Sequence, residues 1–435
     1  MEMYHEAARS IPFRGSYDVI VAGSGPAGVA AALGAARSGA STLIVEETNC
    51  FGGMITSGLM SHWTGGTDSP VMHEIQARCR RSPWECEVLD EENTLVINHE
   101  QAKLAIFDLL EEAGVKMRLH TRCCDVICAG EAVTGIVTES KSGREAWRCR
   151  VLIDCSGDGD LAVRAGAEFR VGREGDGKMQ PVTLMFKIGG VDFDRAVFPG
   201  SFETLVDTPK GELQALARKL LPPPAGHVLL YRSTMRGEVT VNMTNLTDVD
   251  GSNADDLTRA EIVCHRQIPA IVAFLREYVP GYESCFWLKT AEVVGVRETR
   301  HFLTEYELTA DDILEARRFP DWIATKNIFN FDIHNVEGAG LDANGAQKHF
   351  HSAGDYSIPY GCCVPQKVEN LLLAGRSIGG SHKAHSNFRV MPICANIGLG
   401  AGVAAAVAVR NGTSVREVDL EAVHARLNAM GVTQD

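Results

Sequence analysis

The stretch from Tyr17 to Glu46 constrains the chain most. Val19-Ile20-Val21 reads as a buried strand that breaks at Gly23-Ser24-Gly25-Pro26-Ala27-Gly28, a G-x-G-x-x-G turn opening an Ala-rich helix. Gly23 permits the tight turn, Gly25 lets the backbone approach a pyrophosphate, and Gly28 lets helix and strand pack closely. The helix N-terminus adds free N–H groups and a positive dipole end. A second strand, Ser41 to Val45, stops at Glu46, 18 residues beyond Gly28. An acid there suits the two hydroxyls of an adenosine ribose and repels a 2′-phosphate. A glycine loop serving only packing leaves Glu46 unexplained, so the stretch predicts a dinucleotide site.

At 435 residues the chain exceeds one ordinary domain. Its formal charge of −14 and the lack of any basic run argue against nucleic acid or an anionic membrane as partner. Residues 1–16 carry acids and no apolar core, so no secretory signal is expected there and the cytoplasm is the expected location. Val390 to Val409 has no charge over 20 residues, but its Pro and three Gly predict a buried helix rather than a membrane span. The 13 cysteines include no C-x-x-C, so no metal site is expected and buried thiols are.

Cys50 to Leu59 surrounds Gly52-Gly53 with small residues, as backbone lying against a flat ligand requires. A helix over Asn98 to Ala113, a strand over Val115 to Leu119 and a meander of Asp125–Ala129, Ala132–Glu139 and Arg144–Arg150 follow. Val151 to Ile153 then reads as a further buried strand entering Asp154-Cys155-Ser156-Gly157-Asp158, where open α/β sheets place ligands. Residues 172–360 mix short strands (Val182–Ile188, Glu238–Asn242, Phe286–Thr290) with helices (Ala254–Tyr278, Ala310–Arg317), as in an inserted α+β domain. Val368–Ala374 reads as a strand of the first domain, and Gly398-x-Gly400 as a helix start whose N–H groups face something negative.

In order, GSGPAG with Glu46, FGGMITSGL, DCSGDGDLAVRAGA, GREGDGKMQPVTLMF, GVRETR and IPYGCCVPQKVENLLLAGRSIGGSHKAHSNFRVMP resemble the FAD-dependent oxidoreductases of the glutathione-reductase-type (GR2-like) flavoprotein superfamily. More narrowly, the chain looks like a bacterial group encoded near carbohydrate and small-metabolite catabolic genes. The resemblance spans roughly residues 15–410. It implies an α/β fold: a Rossmann-like FAD-binding domain (parallel sheet plus β-meander) in residues 1–171 and 361–435, with an α+β substrate or cap domain inserted at 172–360.

It implies FAD as cofactor, with Gly23, Ser24, Gly25, Pro26, Ala27 and Gly28 at the pyrophosphate and Glu46 and Glu47 at the ribose. Gly52, Gly53 and Met54 lie along the cofactor, Cys124 or Val126 touches adenine, and Ser156, Gly157 and Asp158 replace the usual Thr-Gly turn. Gly375 and Arg376 lie by the pyrophosphate and ribityl chain, and Gly398, Gly400 and Ala401 face the flavin N1/O2 edge. Relatives often carry Arg and Cys where this chain has Gly361-Cys362, and an arginine where it has His301, so the substrate cannot be copied from a relative. One fingerprint only implies that electrons enter or leave through the substrate, a loosely held nicotinamide, oxygen or a protein carrier.

The chemistry expected is dehydrogenation of a small polar metabolite, hydroxyl-bearing or carboxylated, by hydride transfer to flavin N5. It needs a base, from His334, His382 or His385, and a cation for a carboxylate or alkoxide, from Arg297, Arg300 or Arg389. His62 is a further residue that can face the ring. The rivals are a flavin-dependent reductase of an activated C=C bond and a flavin-binding electron carrier; a homodimer is plausible at this size.

Overall fold

The protein is described by a computed structural model covering residues 2–79, 96–342 and 352–434. Strand β1 (Phe13–Ala22) leads through the glycine turn into α1 (Pro26–Arg37) and β2 (Thr42–Val45), whose residues are all buried. Helices α2 (Pro70–Cys79) and α3 (His99–Glu112) follow; Asn98 caps α3 by accepting the Gln101 N–H, and Ala102, Ile106 and Leu109 share its buried face. Next come β3 (Lys116–Arg118), β4 (Thr121–Ala129), β5 (Ala132–Ser140) and β6 (Gly143–Asp154).

Strand β6 joins two functions that the sequence reading kept apart. On one edge Gly143 to Arg148 pair antiparallel with β5, completing the meander, and on the other Ala146 to Asp154 run parallel to β1 in the centre of the sheet. No turn residue separates Arg150 from Val151, so one strand serves both the meander and the parallel region. The seven-stranded sheet therefore has the order β3-β2-β1-β6-β5-β4, with a last strand added beside the C-terminal half of β6.

Beyond α4 (Asp160–Arg164) and β7 (Phe169–Val171), β8 (Phe186–Gly189) begins a second sheet. The hairpin of β9 (Asp207–Thr208) and β10 (Gly211–Glu212) leads to α5 (Leu213–Leu220), then β11 (Leu230–Arg232), β12 (Val239–Val241), α6 (Ala254–Tyr278) and β13 (Phe286–Thr290). The sheet is antiparallel in the order β11-β12-β8-β13. An apolar cluster running from Phe186 to Cys285 joins it to α5 and α6. The strand expected from Val182 is regular only from Phe186; Val182 and Thr183 make single bridges, to Leu246 and Gly295.

β14 (Arg300–Phe302) pairs with β7; α7 (Ala310–Leu314), β15 (Trp322–Asn327) and β16 (Tyr356–Pro359) follow. Phe302, Trp322, Ile323 and Tyr356 pack in the first cluster, not the second. α7 is shorter than expected because Ala316 turns into the left-handed region at φ 51°. The strand expected over Val368–Ala374 shrinks to β17 (Leu371–Leu373), since Asn370 has φ 58°; β17 pairs parallel with β6. The chain closes with α8 (His382–Phe388), α9 (Met391–Asn411) and α10 (Leu420–Ala429). Among the described residues α9 alone is long and apolar enough to cross a membrane, and its apolar stretch is wholly buried in the protein core.

Candidate active site

The glycine turn divides its work by position. Gly23 has φ +87°, and a Cβ there would lie 2.5 Å from the Cys155 carbonyl oxygen. A Cβ on Gly28 would lie 2.0 Å from the Gly23 oxygen. Gly25 has nothing within 4 Å of that position, so space remains beside the backbone where a ligand would approach. Glu46 is tied to the same turn: its Oε2 accepts the Ser24 N–H (3.0 Å) and hydroxyl (2.6 Å), and its Oε1 accepts the Thr48 N–H (2.9 Å). Glu47 points outward with only a 3.9 Å ion pair to Arg122.

The other expected contacts surround this turn. The Gly52 N–H donates to the Ser24 carbonyl at 2.8 Å, and a Cβ on Gly53 would lie 2.8 Å from Gly25 Cα, so the double-glycine loop rests on the turn. Ser156 donates through N–H and hydroxyl to Asp154, which is buried and also accepts the first N–H groups of α4. Burial raises the Asp154 carboxyl above its ordinary value. Asp158 accepts Arg376 at 2.8 Å and the Thr299 hydroxyl at 2.5 Å. Gly157, at φ +93°, lies against the Arg376 guanidinium, and Gly375 against Ala27. Cys124 and Val126 sit half-buried on β4, with Cys124 at a bulge in its pairing with β5.

Two long helices begin without a side-chain cap; α4 also has none from Gly159, but Ser156 and Asp154 accept its first N–H groups. Side chains of Asn98, Glu212, Asn253, Thr309, Ser381 and Asp419 cap α3, α5, α6, α7, α8 and α10. α1 and α9 start with a proline in the first turn and receive no side-chain cap from Gly25 or Val390. They lie parallel and close: a Cβ on Gly398 would be 2.0 Å from the Ala27 oxygen, and one on Gly402 2.1 Å from the Ala31 oxygen. Gly398 being level with Ala27, α9 begins about 10 Å beyond the start of α1, at 1.5 Å per residue from Met391. Two bare positive helix ends thus face the same side, staggered by that length.

This corrects one sequence expectation. Gly398, Gly400 and Ala401 do not open a helix; they lie well inside α9, fully enclosed, with their N–H groups in the helical ladder. Gly398 serves the contact with α1, and Gly400 the contact with Ile323 on β15. The free N–H groups belong to Met391 and Ile393; Pro392 between them has none and is suited to a first turn.

A cavity of about 390 Å³ lies beside the α9 N-terminus, with Met54, Arg376 and Met391 on its wall. Arg297, Arg389, His334 and His62 also line it. Asp332, not singled out from sequence, organises them: its Oδ2 takes Arg389 Nη2 at 3.0 Å and lies 3.5 Å from His334 Nε2. Burial works against the Asp332 charge, but His334, Arg389 and Arg297 outweigh it and hold the carboxyl below its ordinary range. Burial, reinforced by Arg297, pushes His334 down to about 4, and burial pushes His62 to about 4. Arg297 donates only to the Pro181 carbonyl; burial and the Arg389 charge lower it to about 10. Arg389 Nε has no partner.

The remaining candidates lie elsewhere. His382 donates to Glu298 at 2.6 Å, and His385 stands edge-on to His301 at 5.0 Å between ring centres; neither is on the cavity wall. Arg300 pairs with Asp160 and the Asp158 carbonyl. Asp332 stands two residues before His334, a D-x-H pattern that was visible; Glu298, between Arg297 and Thr299, carried no local signal.

The FAD dependent oxidoreductase family model matches residues 18–427. No curated protein matches the chain in sequence. Among solved structures, the geranylgeranyl bacteriochlorophyll reductase-like protein of Thermoplasma acidophilum is similar at 12% identity and TM-score 0.47, covering 96% of this chain and 83% of its own. The p-nitrophenol 4-monooxygenase PnpA of Pseudomonas putida DLL-E4 is similar at 13% and 0.47, covering 97% and 87%. NikD, an amino acid oxidase of nikkomycin biosynthesis, is similar at 16% and 0.44, covering 94% and 97%. At these values the likenesses carry no argument about substrate. The family match spans most of the chain and agrees with the strand, glycine turn and helix at its start: the chain belongs to the FAD dependent oxidoreductase family, an enzyme family with FAD as cofactor.

Proposed function

We propose that this oxidoreductase dehydrogenates a small metabolite bearing a hydroxyl group and a carboxylate. One observation carries the reading: in the cavity two guanidinium groups, Arg297 and Arg389, face the single carboxylate of Asp332, and Arg389 Nε is unpartnered. Arg376 is matched by Asp158, and burial keeps His334 neutral, so the cavity carries an excess positive charge. A substrate carboxylate neutralises it with charge-assisted hydrogen bonds.

FAD fits the residues present. The gap beside Gly25 and the bare start of α1 suit a pyrophosphate, and the bare start of α9 suits the anionic pyrimidine edge of the flavin. FAD, when bound, supplies an acceptor for two electrons delivered as hydride.

The chain's own residues do the rest. Arg297 and Arg389 hold the carboxylate and fix the substrate's orientation. Asp332 beside Nε2 favours the tautomer with its proton there, leaving His334 Nδ1 to take the hydroxyl proton. The Phe202 ring, edge-on at 5.1 Å, holds the imidazole in place, and Met54, Met185 and Phe329 keep the cavity wall apolar. Apart from Cys79, the described cysteines are free thiols, which supports the cytoplasm as its location.

The reverse direction, reduction of an activated C=C bond, has one observation in its favour: Arg297, lowered to about 10, is better suited than an ordinary arginine to give up a proton. Anaerobic mixing separates the two. Bleaching of the oxidised protein by small 2-hydroxy acids supports dehydrogenation; reoxidation of the reduced protein by an unsaturated carboxylate, with no bleaching by any hydroxy acid, overturns it.

A further inference from the structure

Outside the cavity, the described residues hold one closed cluster of ligating side chains that the proposed reaction does not use: Glu298, His301 and His382. All three are buried, and their ligand atoms lie within 4.8 Å of one another. Glu298 Oε1 is approached by His301 Nε2 at 2.8 Å and by His382 Nδ1 at 2.6 Å. The outer atoms are already committed: His301 Nδ1 donates to the Gly380 carbonyl at 3.0 Å, and Glu298 Oε2 accepts the Gln180 N–H at 3.1 Å.

Neutral tautomers do not satisfy this arrangement. With its proton on Nδ1 for Gly380, a neutral His301 presents a lone pair to the Glu298 oxygen, and two lone-pair atoms at that separation repel. A metal ion removes the conflict. An imidazole that gives its far N–H to a backbone carbonyl is the arrangement that orients metal-ligating histidines, and the second carboxylate oxygen is held in the same manner. Access exists through a cavity of about 330 Å³, lined by His301 and Glu174. The arginines on its wall are paired, Arg170 with Glu307 and Arg173 with Asp176, so they do not present free charge to an entering cation.

We propose that Glu298, His301 and His382 bind one divalent first-row transition ion of the zinc class, joining α8 to the segment that carries Arg297. Two nitrogens and one carboxylate oxygen suit such an ion, at bond lengths of about 2.0–2.2 Å reached by small side-chain rotations. Binding displaces to solvent any proton shared between the imidazoles and Glu298, and no electrons move. The ion stands beside the cavity rather than in it, so its part is to fix the backbone around Arg297.

The test is equilibrium dialysis of the FAD-loaded full-length protein, produced without a histidine tag, against Zn²⁺, with bound metal counted by mass spectrometry. The expected result is one ion per chain, with affinity reduced more than tenfold in His301→Arg and in His382→Gln. His301→Arg retains a cation beside Glu298 and therefore keeps the fold, which bound flavin and the melting temperature verify; should His382→Gln fail to fold, His301→Arg decides alone. No retained zinc in the wild type, or equal retention in folded His301→Arg, overturns the proposal and leaves a proton as the bridging cation.

Discussion

Gly25 and Gly28 lie in one turn and answer to different constraints. The Cβ of Gly28→Ala would meet the Gly23 oxygen at 2.0 Å, whereas that of Gly25→Ala meets nothing. Gly28→Ala should therefore lower stability by about 1–3 kcal/mol or more, seen as a lower melting temperature of the apoprotein. Gly25→Ala should leave that temperature unchanged and weaken FAD binding; equal effects of both on the apoprotein would contradict this division. In the cavity, Arg389→Gln should raise KM for a carboxylate substrate by about ten- to a hundredfold, the worth of a charged hydrogen bond of roughly 1.5–3 kcal/mol, with a smaller change in kcat. These glycines and Glu46 were legible because a turn and its neighbouring strand are set by near residues. The D-x-H spacing of Asp332 and His334 is local, but the pairing of Asp332 with Arg389, 57 positions away, was not legible because only the tertiary fold brings them together.

At the scale of elements, α9 shows what periodicity hides. Its glycines read as a helix start for a ligand, but the helix begins at Pro392's turn and uses Gly398 and Gly402 to lie against α1. An uncharged Ala- and Gly-rich run has no polar face to mark which side packs and where the first turn falls. The helix itself, like α3, α6 and β13, was legible from length, apolar spacing and stop signals. Gly402→Val should force α9 away from Ala31 and cost about 1–3 kcal/mol or more, with loss of flavin because the two helix starts move apart. Gly412→Asn, at φ +68° with no atom near its Cβ, serves as the control and should cost a few tenths of a kcal/mol. Thermal melts and flavin content measure both; a Gly402 variant as stable as the wild type would remove the helix pair from its central position. β6 reads as two strands from sequence because its antiparallel partner β5 is a near neighbour in the chain, whereas its parallel partner β1 on the opposite edge is remote.

For the whole molecule, buried histidines tie stability to pH. Burial lowers His62 and His334 to about 4 and His99 and His227 to about 3, so the folded state keeps them neutral while the unfolded chain takes up protons near 6.5. Their contribution is full above about pH 6.5 and is lost as pH falls toward 4, each group by up to roughly 1.4 kcal/mol per unit. The melting temperature should drop steadily from pH 7 to pH 5; a flat profile would show that these histidines are not held neutral. The α/β architecture was legible from the alternation of strands and helices. The extent of the second core was less so, because Phe302 to Tyr356 return to the first cluster, a matter of packing rather than of composition.

On the proposed reading, the two bare helix starts hold FAD beside a cavity made for an anionic substrate whose hydroxyl-bearing carbon is oxidised. The most direct measurement is the absorption spectrum of the FAD-loaded protein during anaerobic titration with small 2-hydroxy acids and with their neutral amides. Bleaching of the flavin band by an acid, and not by its amide, is the predicted result. Bleaching by neither, or equally by both, would contradict it.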